Sequence, residues 1–176
     1  MQYSGSQYYW NKINRISGQF TRVANLGDAT VVGYYEAMDY VNHLGKFILS
    51  RGISSNKYLT SEIYTIDTNG NMALIINNGL DNDYGVYDSN RQIFYFTDPN
   101  GHASLVKTDL STGANTNLGA LSVGGDLAFN ASDGYIYGMS GTSLMRISTT
   151  AGGAPISVSN LGSTGLSAVA KINRHK

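Results

Sequence analysis

Chemistry in this chain would have to come from its aromatic rings and its carboxylates. Tyr8, Tyr9 and Trp10 stand in succession, and Trp10 is the only tryptophan beside 13 tyrosines. Such rings can stack on the apolar face of a sugar and still present a polar edge. Side chains alternate between the two faces of a strand, however, so of these neighbours at least one is expected to turn inward and pack. Lys57 and Tyr58 lie in a polar excursion, Gly52 to Thr60, and join Tyr8 and Trp10 as the candidate ligand-binding residues. A neutral insertion is the alternative reading of that stretch. Asp81, Asp83, Asp98 and Asp109 supply oxygen of the kind a hard cation such as Ca2+ takes. No D-x-D-x-D-G with a distal Glu organises them, and Asp98-Pro99-Asn100-Gly101 is already accounted for as a tight turn. Asp83 and Asp126, near the starts of two strands, are the better metal candidates.

The usual catalytic constellations are missing. His43, His102 and His175 are far apart, and none has a second His four residues on with an acidic neighbour. Glu36 and Asp39 are three apart, which puts them on opposite faces of a strand and not in an acid/base pair. No G-x-S-x-G elbow, S-x-x-K, P-loop or G-x-G-x-x-G occurs. Ser132-Asp133-Gly134-Tyr135 fails the sialidase-type box, and Asn130-Ala131-Ser132 has the form of a glycosylation sequon at a place where turn preference explains both residues. The remaining route to catalysis is a pair of carboxylates converging from different sheets for glycan cleavage.

The elements that would position these residues are short β-runs. Between Gly125 and Gly162 four of them (DLAFN, YIYGM, SLMRIS, PISVSN) are separated by SDG, SGT and TAGG and closed by NLG, the pattern of a four-stranded meander. The closing tag recurs: NLG ends at Gly27, Gly119 and Gly162 and its variant NNG at Gly79, spacings of 52, 40 and 43 residues. Units of roughly 40 residues have the length of a propeller blade. The long first interval is assigned to the Gly52 to Thr60 excursion, taken as an insertion on one face. First strands at Tyr34 to Tyr40, Asn82 to Asp88, Gly125 to Ala131 and Gly165 to Lys171 bring Ala37, Gly85, Ala128 and Ala168 to one register, small residues suited to crowding near an axis.

The fold expected is therefore all-β: a propeller of four blades, each of four antiparallel strands, in one domain. Its units are 33–79, 82–119, 125–162 and a last blade made of 166–176 with 1–27. That blade takes one strand from the C-terminal end and three from the N-terminal end, which hides two edges that would otherwise be unpaired.

Composition bounds the partners. Twelve basic residues balance 12 acidic ones, so nothing predicts nucleic acid or an acidic membrane, and Lys171, Arg174, His175 and Lys176 read as a solvated strand end. Met72 to Ile76 is the longest apolar run, far short of a membrane span, and Met1 opens no leader-like segment. With no cysteine, thiolate metal sites and disulfides are excluded.

The repeats LAFNASDGYIYG…SLMRISTTAGG and VYDSNRQIFYF…SLVKTDLSTG resemble an uncharacterised family of β-propeller repeats in exported bacterial surface proteins. The resemblance covers three units well and the N-terminal one partly, through NKINRISG. The family's third-strand Asp is Asn14, Asp67, Asp109 and Ser148 here. It implies an extracellular or cell-surface location, and its members have more than four blades, so a segment of a longer array is as consistent as a whole ring. Propeller motifs define a fold and not an activity. The leading expectation is a non-catalytic module recognising a glycan or protein; the alternative is a structural subunit that lends Leu166 to His175 to a neighbour; third comes a glycan-active enzyme.

Overall fold

A computed structural model describes residues 2–28, 34–55, 58–80, 82, 84–98, 104–121, 123–150 and 155–160. Among them the regular structure is β-sheet, with one short 3-10 turn at Asn42–Leu44 and no helix long and apolar enough to cross a membrane. Sheet I holds β1 (Gln2–Ser4), β2 (Gln7–Ile13) and β3 (Phe20–Asp28). Sheet II holds β4 (Tyr34–Val41), β5 (Lys46–Ser55), β6 (Tyr58–Asp67) and β7 (Met72–Asn77). Sheet III holds β8 (Gly85–Asp88), β9 (Ile93–Asp98), β10 (Ser104–Asp109) and β11 (Asn115–Ala120). Sheet IV holds β12 (Gly124–Asn130), β13 (Tyr135–Ser140), β14 (Ser143–Ile147) and β15 (Ile156–Asn160). All four are antiparallel meanders in chain order. The strand expected at Leu166 to His175 lies outside the described residues.

Three apolar seams hold the sheets face to face. Trp10 and Leu26 meet Leu49 and Ile66 between sheets I and II. Ile48 and Ile63 meet Phe94, Phe96 and Val106 between II and III. Tyr95, Leu105 and Leu118 meet Phe129, Ile136 and Ile147 between III and IV. Strand alternation makes this possible: consecutive Ile48 and Leu49 enter different seams, as do Phe94 and Tyr95. A strand covered on both faces reads as an unbroken apolar run, which is why Ile93-Phe94-Tyr95-Phe96 has no polar member. The first strands lie side by side, β8 next to both β4 and β12, and Tyr87 donates its main-chain N–H to Asp39 Oδ2 at 3.1 Å. Ala128 is buried and Gly85 half-buried there; the side chain of Ala37, and Ala168 altogether, lie outside the described residues.

Polar turns close the meanders by one device. Asn14 Oδ1 accepts the N–H groups of Ile16 and Ser17, Asp67 Oδ1 those of Asn69 and Asn71, and Asp109 Oδ1 those of Ser111 and Thr112. Ser148 Oγ does the same for Thr150. These are the four residues at the position where the resembling family carries Asp, and any short side chain with an acceptor can cap such a turn.

Two expectations are corrected. The stretch Gly52 to Thr60 extends beyond its sheet as paired strand and not as an irregular polar insertion. Pairing continues from Gly52↔Ser61 through Ile53↔Thr60 and Ser54↔Leu59 to Ser55↔Tyr58, so β5 and β6 form one long hairpin. Ile53 and Tyr58-Leu59-Thr60 have the β-branched and aromatic character that favours this. The N-x-G tag, in turn, marks two different places. Asn Oδ1 accepts the Gly N–H in each of the three described copies, at Asn25/Gly27, Asn77/Gly79 and Asn117/Gly119. In sheets I and III the middle Leu is the extra residue of a β-bulge, with Gly27 and Gly119 at φ 106 and 122 still paired in the strand. In sheet II the bulge falls at Ile75 and the tag begins on the strand's last residue, Asn77.

Candidate functional site

The register of sheet II sets Tyr35 opposite Arg51 and Arg51 opposite Glu62, in one row across β4, β5 and β6. Tyr64, two residues beyond Glu62, shares that face, which looks toward sheet I. Arg51 Nη2 lies 2.5 Å from Glu62 Oε2 and 2.6 Å from the Tyr64 hydroxyl, and the guanidinium sits 4.7 Å from the Tyr64 ring centroid. The Tyr64 hydroxyl also donates to Glu62. Tyr35 donates to the Leu26 carbonyl at 3.1 Å and meets the Tyr8 ring edge-on at 5.0 Å. With side chains 19% and 16% exposed, the ion pair is neither sealed in the core nor freely solvated. Arg51 Nε is buried and has no hydrogen-bond partner among the described residues.

The electrostatics follow from this half-buried geometry. Burial first, then the Glu62 hydrogen bond, pushes the Tyr64 hydroxyl up to about 12. Burial also raises Tyr35, against the pull of Arg51. For Arg51 burial works against the charge, yet Glu62 and the two phenols outweigh it and hold the guanidinium above its ordinary value. The cluster is thus a neutral unit, one cation and one anion under three phenol rings. It can donate and accept hydrogen bonds and offer ring faces. Its single carboxylate is bridged to Arg51, so the cluster forms no two-carboxylate acid/base pair.

At the same end of sheet II the β5–β6 hairpin runs on alone. Pairing to β4 stops at Tyr34↔Gly52 and pairing to β7 at Glu62↔Asn77. The pairs from Ile53↔Thr60 to Ser55↔Tyr58 stand beyond both neighbours, a projection of about 10 Å at strand rise. Corresponding strands in sheets III and IV are five or six residues long against ten here.

Of the residues singled out from sequence, Tyr8 borders this cluster, and Tyr58 is the last paired residue of the projecting hairpin; its side chain and Lys57 lie outside the described residues. Trp10 is 6% exposed, its indole edge-on to Phe47 at 5.0 Å in the seam, so its face is occupied by packing. Tyr9 points the other way and carries Arg22 over its ring at 3.6 Å. Asp83 and the Asp126 side chain are outside the described residues, and among those described no three His, Asp or Glu side chains gather. Asp109 caps its turn, and Asn130 accepts the Ser132 N–H, the turn role expected of it. A polar excursion over Gly52 to Thr60 hides the pairing of the strands on either side of it, so sequence alone does not bring Arg51, Glu62, Tyr64 and Tyr35 together. With only two residues between paired Ser55 and Tyr58, counting back along both strands sets Arg51 against Glu62.

No family model matches the sequence, and no curated protein does. Among solved structures, a structural genomics protein of unknown function from Bacteroides thetaiotaomicron is similar in fold, with a TM-score of 0.52 and 14% identity over 78% of this chain. The chain spans 35% of that protein's length. At this identity the likeness concerns fold alone.

Proposed function

We propose that this chain is a non-catalytic recognition module of a secreted or cell-surface protein, a four-bladed propeller closed by its two ends, which binds a neutral glycan at the end of sheet II. The observation that carries the reading is the hairpin projecting beyond its sheet beside the Arg51, Glu62, Tyr64 and Tyr35 cluster. A ribbon that leaves its repeat is where binding tends to be placed. Sugar hydroxyls suit a donor and an acceptor held side by side with no net charge, and pyranose faces suit phenol rings. Ring closure is supported by three seams in series and by a sheet I that has, among the described residues, three strands where its neighbours have four. The composition and the family resemblance support export.

A glycan array probed with the intact chain and with a variant in which 53–60 is replaced by Asn-Gly tests the reading. The shortened hairpin keeps every pair to β4 and β7, so the variant is expected to fold and to lose at least tenfold in affinity for any glycan the parent binds. An intact chain that binds nothing on the array, or a shortened variant that binds as well as the parent, contradicts it.

A further inference from the structure

The dipeptide Asn-Gly occurs three times, at Asn69-Gly70, Asn78-Gly79 and Asn100-Gly101, the last outside the described residues. In this pair an asparagine readily loses its side-chain amide, because the following residue has no Cβ to hinder its main-chain nitrogen from reaching Asn Cγ. The fold treats the two described copies oppositely.

Asn78 is held at both reacting groups. It is buried, and its amide donates to Asn82 Oδ1 at 3.0 Å and to Thr108 Oγ1 at 3.2 Å. Its Oδ1 accepts the Leu80 N–H and the Asn82 amide, each at 3.4 Å, while the Gly79 N–H donates to Asn77 Oδ1 at 2.9 Å. Turning Cγ onto the Gly79 nitrogen would break these bonds inside the protein, where their loss is not made good by water. Asn69 is free to turn. It is exposed in the β6–β7 turn, and its side chain has no hydrogen-bond partner among the described residues. The Gly70 N–H donates to the Asp67 carbonyl at 3.0 Å, a bond at a hairpin end that can open without the core.

We propose that Asn69 is a site of spontaneous covalent modification, and that its conversion to isoaspartate loosens the seam between sheets I and II. The Gly70 nitrogen attacks Asn69 Cγ and gives up its proton, the bond from Cγ to the side-chain nitrogen breaks, and that nitrogen leaves as ammonia. Water then opens the five-membered imide. Opening at the main-chain carbonyl of residue 69 sends the chain through Cβ and Cγ, which lengthens the backbone by one C–C bond, about 1.5 Å, and leaves a free carboxylate. One water enters and one ammonia leaves, with no oxidant or cofactor.

The seam has no room for that extra length. Gly70 has φ 87 and sits so close to sheet I that a Cβ on it would collide with Ala24 Cβ and come within 3.8 Å of the Trp10 ring. Trp10 is 6% exposed and packs edge-on against Phe47. The same seam brings Tyr8 onto Tyr35 at the border of the candidate cluster, so the modification acts on that cluster too. The inference does not depend on the cluster binding a glycan.

Trp10 is the only tryptophan, so its emission reports on the seam alone. The intact chain and Asn69→Gln are incubated at mildly alkaline pH, and a urea-unfolded sample of the intact chain is run beside them. Peptide mapping by mass follows Asn69 and Asn78, and enzymatic methylation detects isoaspartate. In urea the two asparagines should convert at similar rates. In the folded chain Asn69 should convert at least about tenfold faster than Asn78 and mostly to isoaspartate, with Trp10 emission moving to the red in step, while Asn69→Gln keeps its emission. Conversion of Asn69 no faster than that of Asn78 in the folded chain overturns the site. Conversion of Asn69 with Trp10 emission unmoved, or an equal red shift in Asn69→Gln, overturns its effect on the seam.

Discussion

Tyr64 is the residue on which the candidate cluster is most readily read. Its hydroxyl touches both members of the ion pair, and its proton is held until about pH 12. A group whose folded pKa is raised stabilises the fold fully below its unfolded value and ceases to do so as pH climbs through the folded value. The window here runs from the ordinary tyrosine value near 10 to about 12. Alkaline absorbance titration of the wild type should therefore show a late-ionising tyrosine that is missing in Tyr64→Phe. The same variant should lose less stability across that window than the parent. A Tyr64→Phe protein whose titration curve lacks only an ordinary tyrosine near pH 10 would mean that the cluster is not held together as described.

At the scale of elements, the seam between sheets I and II depends on one close approach. Gly70, in the β6–β7 turn, has φ 87, and a Cβ there would lie 2.3 Å from Ala24 Cβ and 3.8 Å from the Trp10 ring. Gly70→Ala adds left-handed backbone strain to a clash across the seam, so a loss of about 2–4 kcal/mol is expected in urea unfolding. A change below about 0.5 kcal/mol would show that the two sheets do not touch there. Strand existence was legible in the sequence because most runs carry apolar or β-branched residues and are bounded by Asn, Asp, Ser or Gly with a local acceptor, as at Asp67-Thr68-Asn69-Gly70 and Asp109-Leu110-Ser111-Thr112-Gly113. Register was not. The hairpin extension at Ile53 to Ser55 and the two placements of N-x-G depend on which residues face each other across strands, and polar strand residues such as Ser54 and Ser55 look like loop when read singly. The cluster of Arg51 and Glu62 was lost with the register, because 11 residues separate the partners in sequence.

At the scale of the molecule, the zero net charge conceals a division. Residues 1–27 carry Lys12, Arg15 and Arg22 with no acid, and 166–176 carry Lys171, Arg174 and Lys176 with none, so every Asp and Glu lies between. The two ends are alike in sign, so the union proposed for them in one blade would have to be driven by strand pairing and apolar contact, with charge opposing it. Salt should accordingly favour closure by screening the repulsion. The most direct measurement is hydrogen exchange, resolved by residue, on the segment 166–176 at two protein concentrations a hundredfold apart. Closure within one chain predicts protection comparable to that of the neighbouring first strands β4, β8 and β12, and the same at both concentrations. Exchange at the rate of a free peptide, or protection that disappears on dilution, would contradict it.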